Sequence, residues 1–230
     1  MRTPALLLLP LAAFAARASA GDVHGTVKYT GTPPKEAPFT TNRDQKVCGT
    51  SVPNEMLEIS NGSLENVVIT VSGAGAPKEA PKTITIDQHE CRYHPHVQAA
   101  PVGSTLEILN SDPMLHNIHG YYGQQTLFNV AMPIKGQKIP KVLPRAGVVR
   151  IKCDVHNWMH GYVVVAEGPY AVVGKDGAYT IGGLPAGTYT VTAWHEAFGE
   201  KTSQVTVPAT GQVAADFTFS GAPLAGAGGD

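Results

Sequence analysis

The sequence predicts an all-β protein, and three observations support this class. Glycine (25 residues) and proline (18 residues) together approach a fifth of the chain, which leaves little room for long helices. Short apolar or alternating runs recur between turn residues, as in the strands of a sandwich or barrel. No window of eleven or more residues has the apolar period of a helix. One short helical turn is expected over residues 124–129.

The predicted strands are short runs rich in β-branched and aromatic residues. They are residues 25–29, 66–71, 83–86, 105–109, 148–152, 162–165, 178–181, 188–193, 204–207 and 215–219. Residues 32–37 and 73–81 are expected to be connectors because glycine and proline interrupt them. Residues 221–230, rich in glycine and alanine, are expected to form a disordered tail.

The first twenty residues have the pattern of an export signal. Arg2 supplies a positive start, residues 5–16 are almost wholly apolar, and residues 18–20 (ASA) provide a cleavage pattern. The apolar run is too short to cross a bilayer, which needs about 20 residues. We therefore expect residues 1–20 to be removed near Ala20 and the protein to be exported, to the periplasm where there is an outer membrane, without a membrane span.

The balance of charges excludes one class of partner. Lys and Arg (17) nearly equal Asp and Glu (18), so no strong positive charge would attract nucleic acid.

Several side chains that can bind a metal ion lie close together in residues 153–161 (CDVHNWMHG), between two predicted strands. A thiol, an imidazole and a thioether, at Cys153, His156 and Met159, are the soft and borderline ligands that copper favours. A second imidazole is available in residues 110–119 (NSDPMLHNIH), directly after another strand. Zinc, or a buried cysteine among core histidines with no metal, are the alternatives.

The order of these motifs over residues 84–167 closely resembles the cupredoxins, the blue copper proteins, and amicyanin in its short C-x-x-H-x-x-M spacing. The resemblance implies a Greek-key β-sandwich over residues 81–167 and one copper ion per chain. It makes His116, Cys153 and His156 the trigonal ligands and Met159 the weak axial ligand. It also gives Asn117 the role of joining the two ligand loops by hydrogen bonds.

The resemblance further implies a one-electron carrier. Its partners would be redox proteins, such as a quinoprotein dehydrogenase or a cytochrome c, that dock at an apolar patch near His156. Candidate residues for that patch are Pro113, Met114, Met132, Pro133 and Trp158.

The remaining histidines are not expected to bind this copper ion. His119 has a counterpart in amicyanin that is not a ligand, and His160, which stands where amicyanin has arginine, is expected to face solvent. His94 and His96 are two residues apart on an expected strand, so they would point to one face. Two alternatives are less favoured. One is a second metal site at His94 and His96. The other is that His160 is an alternative copper ligand or a base beside the ligands.

Residues 176–191 (DGAYTIGGLPAGTYTV) show a second resemblance, to carboxypeptidase-regulatory or transthyretin-like sandwiches. Residues 25–27 and 66–71 resemble the first half of such a domain. The implication is a small second sandwich made of residues 21–80 and 168–220, with the cupredoxin domain inserted. Three consecutive units are the alternative.

Cys48 and Cys91 are expected to form a disulfide in an oxidising compartment. The bridge would stabilise the fold by about 3–4 kcal/mol in the chain-entropy model and would leave Cys153 as the only thiolate. Two separate thiols are the alternative.

Three functions are compatible with these motifs. A ligand set closed by Met159 leaves no open position for a substrate, which favours an electron carrier over an enzyme. The second hypothesis is a copper chaperone, buffer or sensor. The third hypothesis is an envelope docking module with an accessory copper site.

Overall fold

The computed structural model describes residues 20–224, and its regular structure is almost entirely β. Within that range the one helix, α1 (Gln45–Cys48), is a single turn, and none is long and apolar enough to cross a bilayer. The predicted all-β class is confirmed. The predicted signal peptide, except for Ala20, and residues 225–230 of the predicted tail lie outside the described residues.

The strands are numbered here in chain order. They are β1 (Ala20–Thr30), β2 (Phe39–Thr40), β3 (Ser51–Val52), β4 (Ile59–Ser60), β5 (Ser63–Leu64), β6 (Val68–Ser72), β7 (Thr83–His89), β8 (Arg92–His94), β9 (Val97–Pro101), β10 (Thr105–Asn110), β11 (His116–Tyr122), β12 (Gln125–Met132), β13 (Lys138–Val142), β14 (Gly147–Lys152), β15 (His160–Ala166), β16 (Tyr170–Val172), β17 (Ala178–Pro185), β18 (Gly187–His195), β19 (Gly199–Val207), β20 (Gly211–Ala214) and β21 (Phe217–Ser220).

The middle of the chain forms one sandwich. Its sheets have the strand orders β12-β11-β14-β15-β9 and β13-β10-β7-β8. Strand β10 shows why they pack: its residues alternate, and Leu106 and Ile108 are buried. They join Ile118 and Ile151 of the facing sheet in one apolar core, as expected where two sheets each bury one face.

The two ends of the chain form a second sandwich. One sheet has the order β17-β1-β5-β4, with β20 and β21 also paired to β1, and the other has the order β16-β6-β18-β19. Strands from before Gly73 therefore pair with strands from after Pro169. The core between these sheets includes Val27, Ile69 and Val191.

Strand β15 lies between the two sandwiches and is buried on both faces. Val163 and Val165 belong to the core of the first sandwich. Tyr162 on the opposite face packs with Val68 in a smaller cluster, and its ring lies 5.3 Å from that of Trp194. A strand with two buried faces needs a continuous apolar run, which explains the sequence of residues 162–165.

The segment from β2 to β3 belongs to the first sandwich rather than to the second, where the sequence placed it. Phe39, Cys48 and Val52 all pack against the first core. The predicted disulfide between Cys48 and Cys91 is confirmed, with the two Cα atoms 5.5 Å apart. The disulfide links α1 covalently to the turn between β7 and β8.

Two local predictions were wrong. The expected helical turn at 124–129 lies largely within strand β12, because its backbone pairs with β11 from Gln125 to Met132. His94 and His96 do not share a strand, since β8 ends at His94 and β9 begins at Val97. Within the described start of the expected tail, the Leu224 amide donates to the Ala197 carbonyl at 2.7 Å.

We predict that replacing both bridged cysteines, Cys48→Ala with Cys91→Ala, lowers the free energy of unfolding by about 3–4 kcal/mol, because the unfolded chain regains the entropy of an open loop. Chemical denaturation measures this loss. The matched control is Ser51→Ala, at an exposed position of the same segment. A loss no larger than that of the control would contradict the prediction.

Candidate metal centre

Cys153 begins the loop that connects β14 to β15. The two strands pair up to Lys152 and His160, so residues 153–159 must turn back within a few residues. The Cys153 amide donates to the Met159 carbonyl at 3.1 Å, and the Met159 amide donates to the His156 carbonyl at 2.9 Å. This small hydrogen-bonded loop fixes where Cys153, His156 and Met159 stand.

His116 is the first residue of β11, at the same end of the sandwich. The loop before it is ordered by Asn110, whose side-chain amide donates to the carbonyls of Met114 at 2.9 Å and Met132 at 2.8 Å. Asn110 is fully buried, so these bonds satisfy an amide that has no access to water.

The two loops bring His116, Cys153 and His156 together. The Nδ1 atoms of the two histidines are 3.1 Å apart, and Nδ1 of His156 is 3.7 Å from the Cys153 sulfur. All three ligand atoms lie within 4.8 Å of one another. The side chains are buried, with residue exposures of 0%, 2% and 0%.

Each histidine is oriented by a carboxylate on its outer nitrogen. Nε2 of His116 lies 2.8 Å from Asp112, and Nε2 of His156 lies 3.0 Å from Asp44. A proton on Nε2 that bonds to a carboxylate turns Nδ1 inward as a ligand. Asp112 is itself fixed, because it accepts hydrogen bonds from the amides of Glu90 and Cys91.

The surroundings of Cys153 favour the thiolate. Burial opposes its ionisation, but hydrogen bonds from His116, His156 and the Asn117 amide outweigh burial and lower the pKa to about 6. Burial by itself would lower the pKa of His116, yet Asp112 and Cys153 together raise it to about 9. The space between the three ligand atoms therefore suits a cation, either a proton on His116 or a metal ion.

Asn117 connects the two loops through both backbone and side chain. Its amide donates to the Cys153 sulfur at 3.4 Å, and its side-chain oxygen accepts from the Asp154 amide at 3.1 Å. Its side-chain nitrogen donates to Asn129 at 2.6 Å. These bonds hold the sulfur against the start of β11.

The five residues expected to form an apolar patch differ in exposure, and Met114 is half-buried against the first core. Met132 and Trp158 are buried, and the Trp158 indole donates to the Cys91 carbonyl at 3.2 Å, so neither offers surface. Pro113 and Pro133 are exposed. The edge of His156 is covered by Asp44, so the apolar surface at this end is shifted toward the loops around His116.

The other histidines fall into separate environments. The expectation that His160 faces solvent was wrong, because it is buried beside Glu196. His119 lies outside the candidate centre, bonded to Asp154 and stacked on Tyr121 with ring centroids 3.9 Å apart. His94 is instead near the exposed His89.

Two carboxylates of the centre were missed by sequence reasoning. Asp112 stands four residues before His116, a spacing that brings the two together in a tight loop and was available as a signal. Asp44 is 112 residues from His156, and nothing local in the sequence marks it. The disulfide next to α1, together with the packing of Phe39 and Val52 against the first core, holds this segment at the site.

Comparison with known proteins adds two likenesses. A family model described as the carboxypeptidase regulatory-like domain covers part of the chain. Residues 159–227 match it. The match begins with strand β15, which is hydrogen-bonded in the first sandwich, and runs through the second. No curated protein matches the chain.

Solved structures that resemble the chain include copper proteins. The purple cupredoxin of Nitrosopumilus maritimus is 27% identical over 35% of this chain and 97% of its own, with a TM-score of 0.32. Amicyanin in a reduced Cu(I) form is 26% identical over 42% of this chain and 97% of its own, with a TM-score of 0.33. A copper-containing nitrite reductase from Thermus scotoductus is 23% identical over 41% of this chain and 24% of its own, with a TM-score of 0.32.

We predict that the Cys153 thiol of the metal-free protein titrates near pH 6, well below the ordinary value of about 8.5. Thiolate absorbance in the ultraviolet, compared with Cys153→Ser, measures it. Because folding lowers this pKa, the ionised thiol stabilises the fold fully above the unfolded pKa. That contribution is lost as the pH falls through about 6. Titration near pH 8.5 would contradict the prediction.

Proposed function

We propose that this protein is an exported, mononuclear copper protein that carries one electron between redox partners. One observation carries the proposal: a cysteine with a lowered pKa and two Nδ1 atoms converge in a buried site, and each imidazole has its outer nitrogen on a carboxylate. A thiolate with two imidazoles is the ligand set typical of blue copper centres.

His116, Cys153 and His156 would hold one copper ion, and Met159 is the proposed weak axial ligand. Copper bound there would supply reversible one-electron chemistry between Cu(I) and Cu(II). The protein would supply the rigidity, since strand pairing fixes both ligand loops and Asn117 bonds one loop to the other. Such a scaffold limits reorganisation when an electron moves.

The burial of the centre supports a carrier over a copper chaperone, buffer or sensor. Metal release requires that the ligands open to solvent, yet His116 and His156 are fully buried and each has its outer nitrogen on a carboxylate. The proposed axial Met159 completes the set without an open position for substrate, so we propose electron transfer rather than enzymatic turnover.

We propose that redox partners dock near the His116 loop. Leu115 and Ile134 are exposed by 43% and 66%, and Asn110 bonds to both loops that carry them. Together with Pro113 and Pro133 they form an apolar surface of the kind used in small, transient contacts. A quinoprotein dehydrogenase or a cytochrome c fits this role, and export to the periplasm fits the disulfide.

The deciding experiment is a copper titration of the chain without its first twenty residues. We expect an intense visible thiolate-to-copper absorption band that saturates at one equivalent and is absent in Cys153→Ala. The band reports copper–sulfur bonding directly, because only Cys153 has a free thiol among the described residues. Colourless binding, or a band that persists in the variant, would overturn the blue copper proposal. Either result would favour a zinc site or a role as a copper chaperone.

We also predict that Asp112→Asn lowers copper affinity about 10- to 100-fold, because the carboxylate that orients His116 is lost. Competition with a chelator measures the affinity. Glu107→Gln, which removes a half-exposed carboxylate on β10, is the control and should leave the affinity unchanged. Equal affinities for Asp112→Asn and the control would contradict this role for Asp112.

A further inference from the structure

A second cluster of metal-ligating side chains lies where the two sandwiches meet. His96 precedes β9, His160 begins β15, and Glu196 stands in the turn between β18 and β19. Two ligands therefore come from the first sandwich and one from the second. Their ligand atoms lie within 4.8 Å of one another.

All three side chains are withdrawn from water, with exposures of 5% for His96, 4% for His160 and 0% for Glu196. Burying a carboxylate is costly unless a positive group compensates it. The only cationic side chain lining the adjacent cavity, Arg92, is already paired with Glu55 at 3.1 Å. Among the residues that the structure describes, the two imidazoles are the side chains paired with the Glu196 carboxylate.

The hydrogen bonds of His160 leave one pair of atoms unsatisfied. Its Nδ1 lies 3.1 Å from the Trp158 carbonyl, which can only accept, so Nδ1 carries the proton. A neutral His160 then presents a lone pair on Nε2, 3.6 Å from the second oxygen of Glu196. Neither of these buried atoms has a hydrogen-bond partner among the described residues, and two acceptors that face each other need a proton or a metal cation between them.

His96 completes the geometry. Its Nε2 contacts the other oxygen of Glu196, and its backbone carbonyl accepts from the Tyr162 amide at 2.8 Å, which ties it to the strand that carries His160. The two imidazole rings meet edge to face with centroids 5.1 Å apart. The two imidazoles thus approach one carboxylate from different directions.

We propose that His96, His160 and Glu196 form a second metal site, for a divalent ion of the Zn²⁺ type. Two histidines and one glutamate are a known ligand set for zinc, with water in the fourth position. A cavity of about 10 Å³, lined by both histidines, is roughly large enough for one water molecule. The ion would link the two sandwiches and compensate the buried carboxylate.

The test uses the Cys153→Ser variant of the full exported chain, so that the first centre cannot bind metal through its thiolate. We expect calorimetric titration with Zn²⁺ to show one tight equivalent. Adding Glu196→Gln should abolish that equivalent, and so should adding His96→Gln. Zinc should also raise the melting temperature of Cys153→Ser and not of the double variants, because binding stabilises only the state that holds the site.

Two controls keep the result specific. Glu200→Gln, in the same background, removes an exposed carboxylate near Glu196 and should keep the equivalent. His89→Ala removes a ligand of the exposed His89, Glu90 and His94 cluster and should also keep it. Absence of zinc binding in Cys153→Ser, undiminished binding after Glu196→Gln, or loss only after His89→Ala would each overturn the proposal. None of these outcomes depends on copper at Cys153.

Discussion

Strand β15 is the constraint on which both candidate centres depend. It is hydrogen-bonded to β14 on one side and to β9 on the other, and its side chains are buried in both sandwiches. Its first residue, His160, therefore has a fixed position. Because Met159 and the loop from Cys153 directly precede it, the ladder that aligns β15 also aligns the proposed copper ligands. The glycine at 161 suits this crowding, since an added Cβ would lie 3.0 Å from the His96 carbonyl.

Carboxylates bond to three of the buried imidazoles that the structure describes. Asp112, Asp44 and Glu196 each bond to the side chain of a buried histidine. In the first centre the carboxylates occupy the outer nitrogens and leave the inner ones for a ligand. In the second, the carboxylate itself lies among the ligand atoms. The same pairing therefore occurs at both proposed sites, a soft one built around sulfur and a harder one built around oxygen.

The segment from β2 to β3 changes what a partner can reach. It brings Asp44 over the edge of His156 and is fastened by the disulfide at Cys48. The route to the proposed copper ligands is then from the side of the His116 loop, where Leu115 is exposed. In this way a segment that contributes none of the proposed ligands determines which face of the centre the proposed redox partner can meet.

Local patterns in the sequence were enough to predict the all-β class and most strands. They also singled out Cys153, His156 and Met159, because a loop closed by two strands keeps its ligands within a few residues of each other. The resemblance to cupredoxins added His116, and the expected export added the disulfide. The partners of these residues were decided only by tertiary structure. Asp44 and Glu196 are far in sequence from the histidines they contact, and β12 became a strand because β11 was there to pair with it. Spacing along the chain predicts contacts within a loop, because its residues are close in sequence. Contacts between loops form only when the sheets pack.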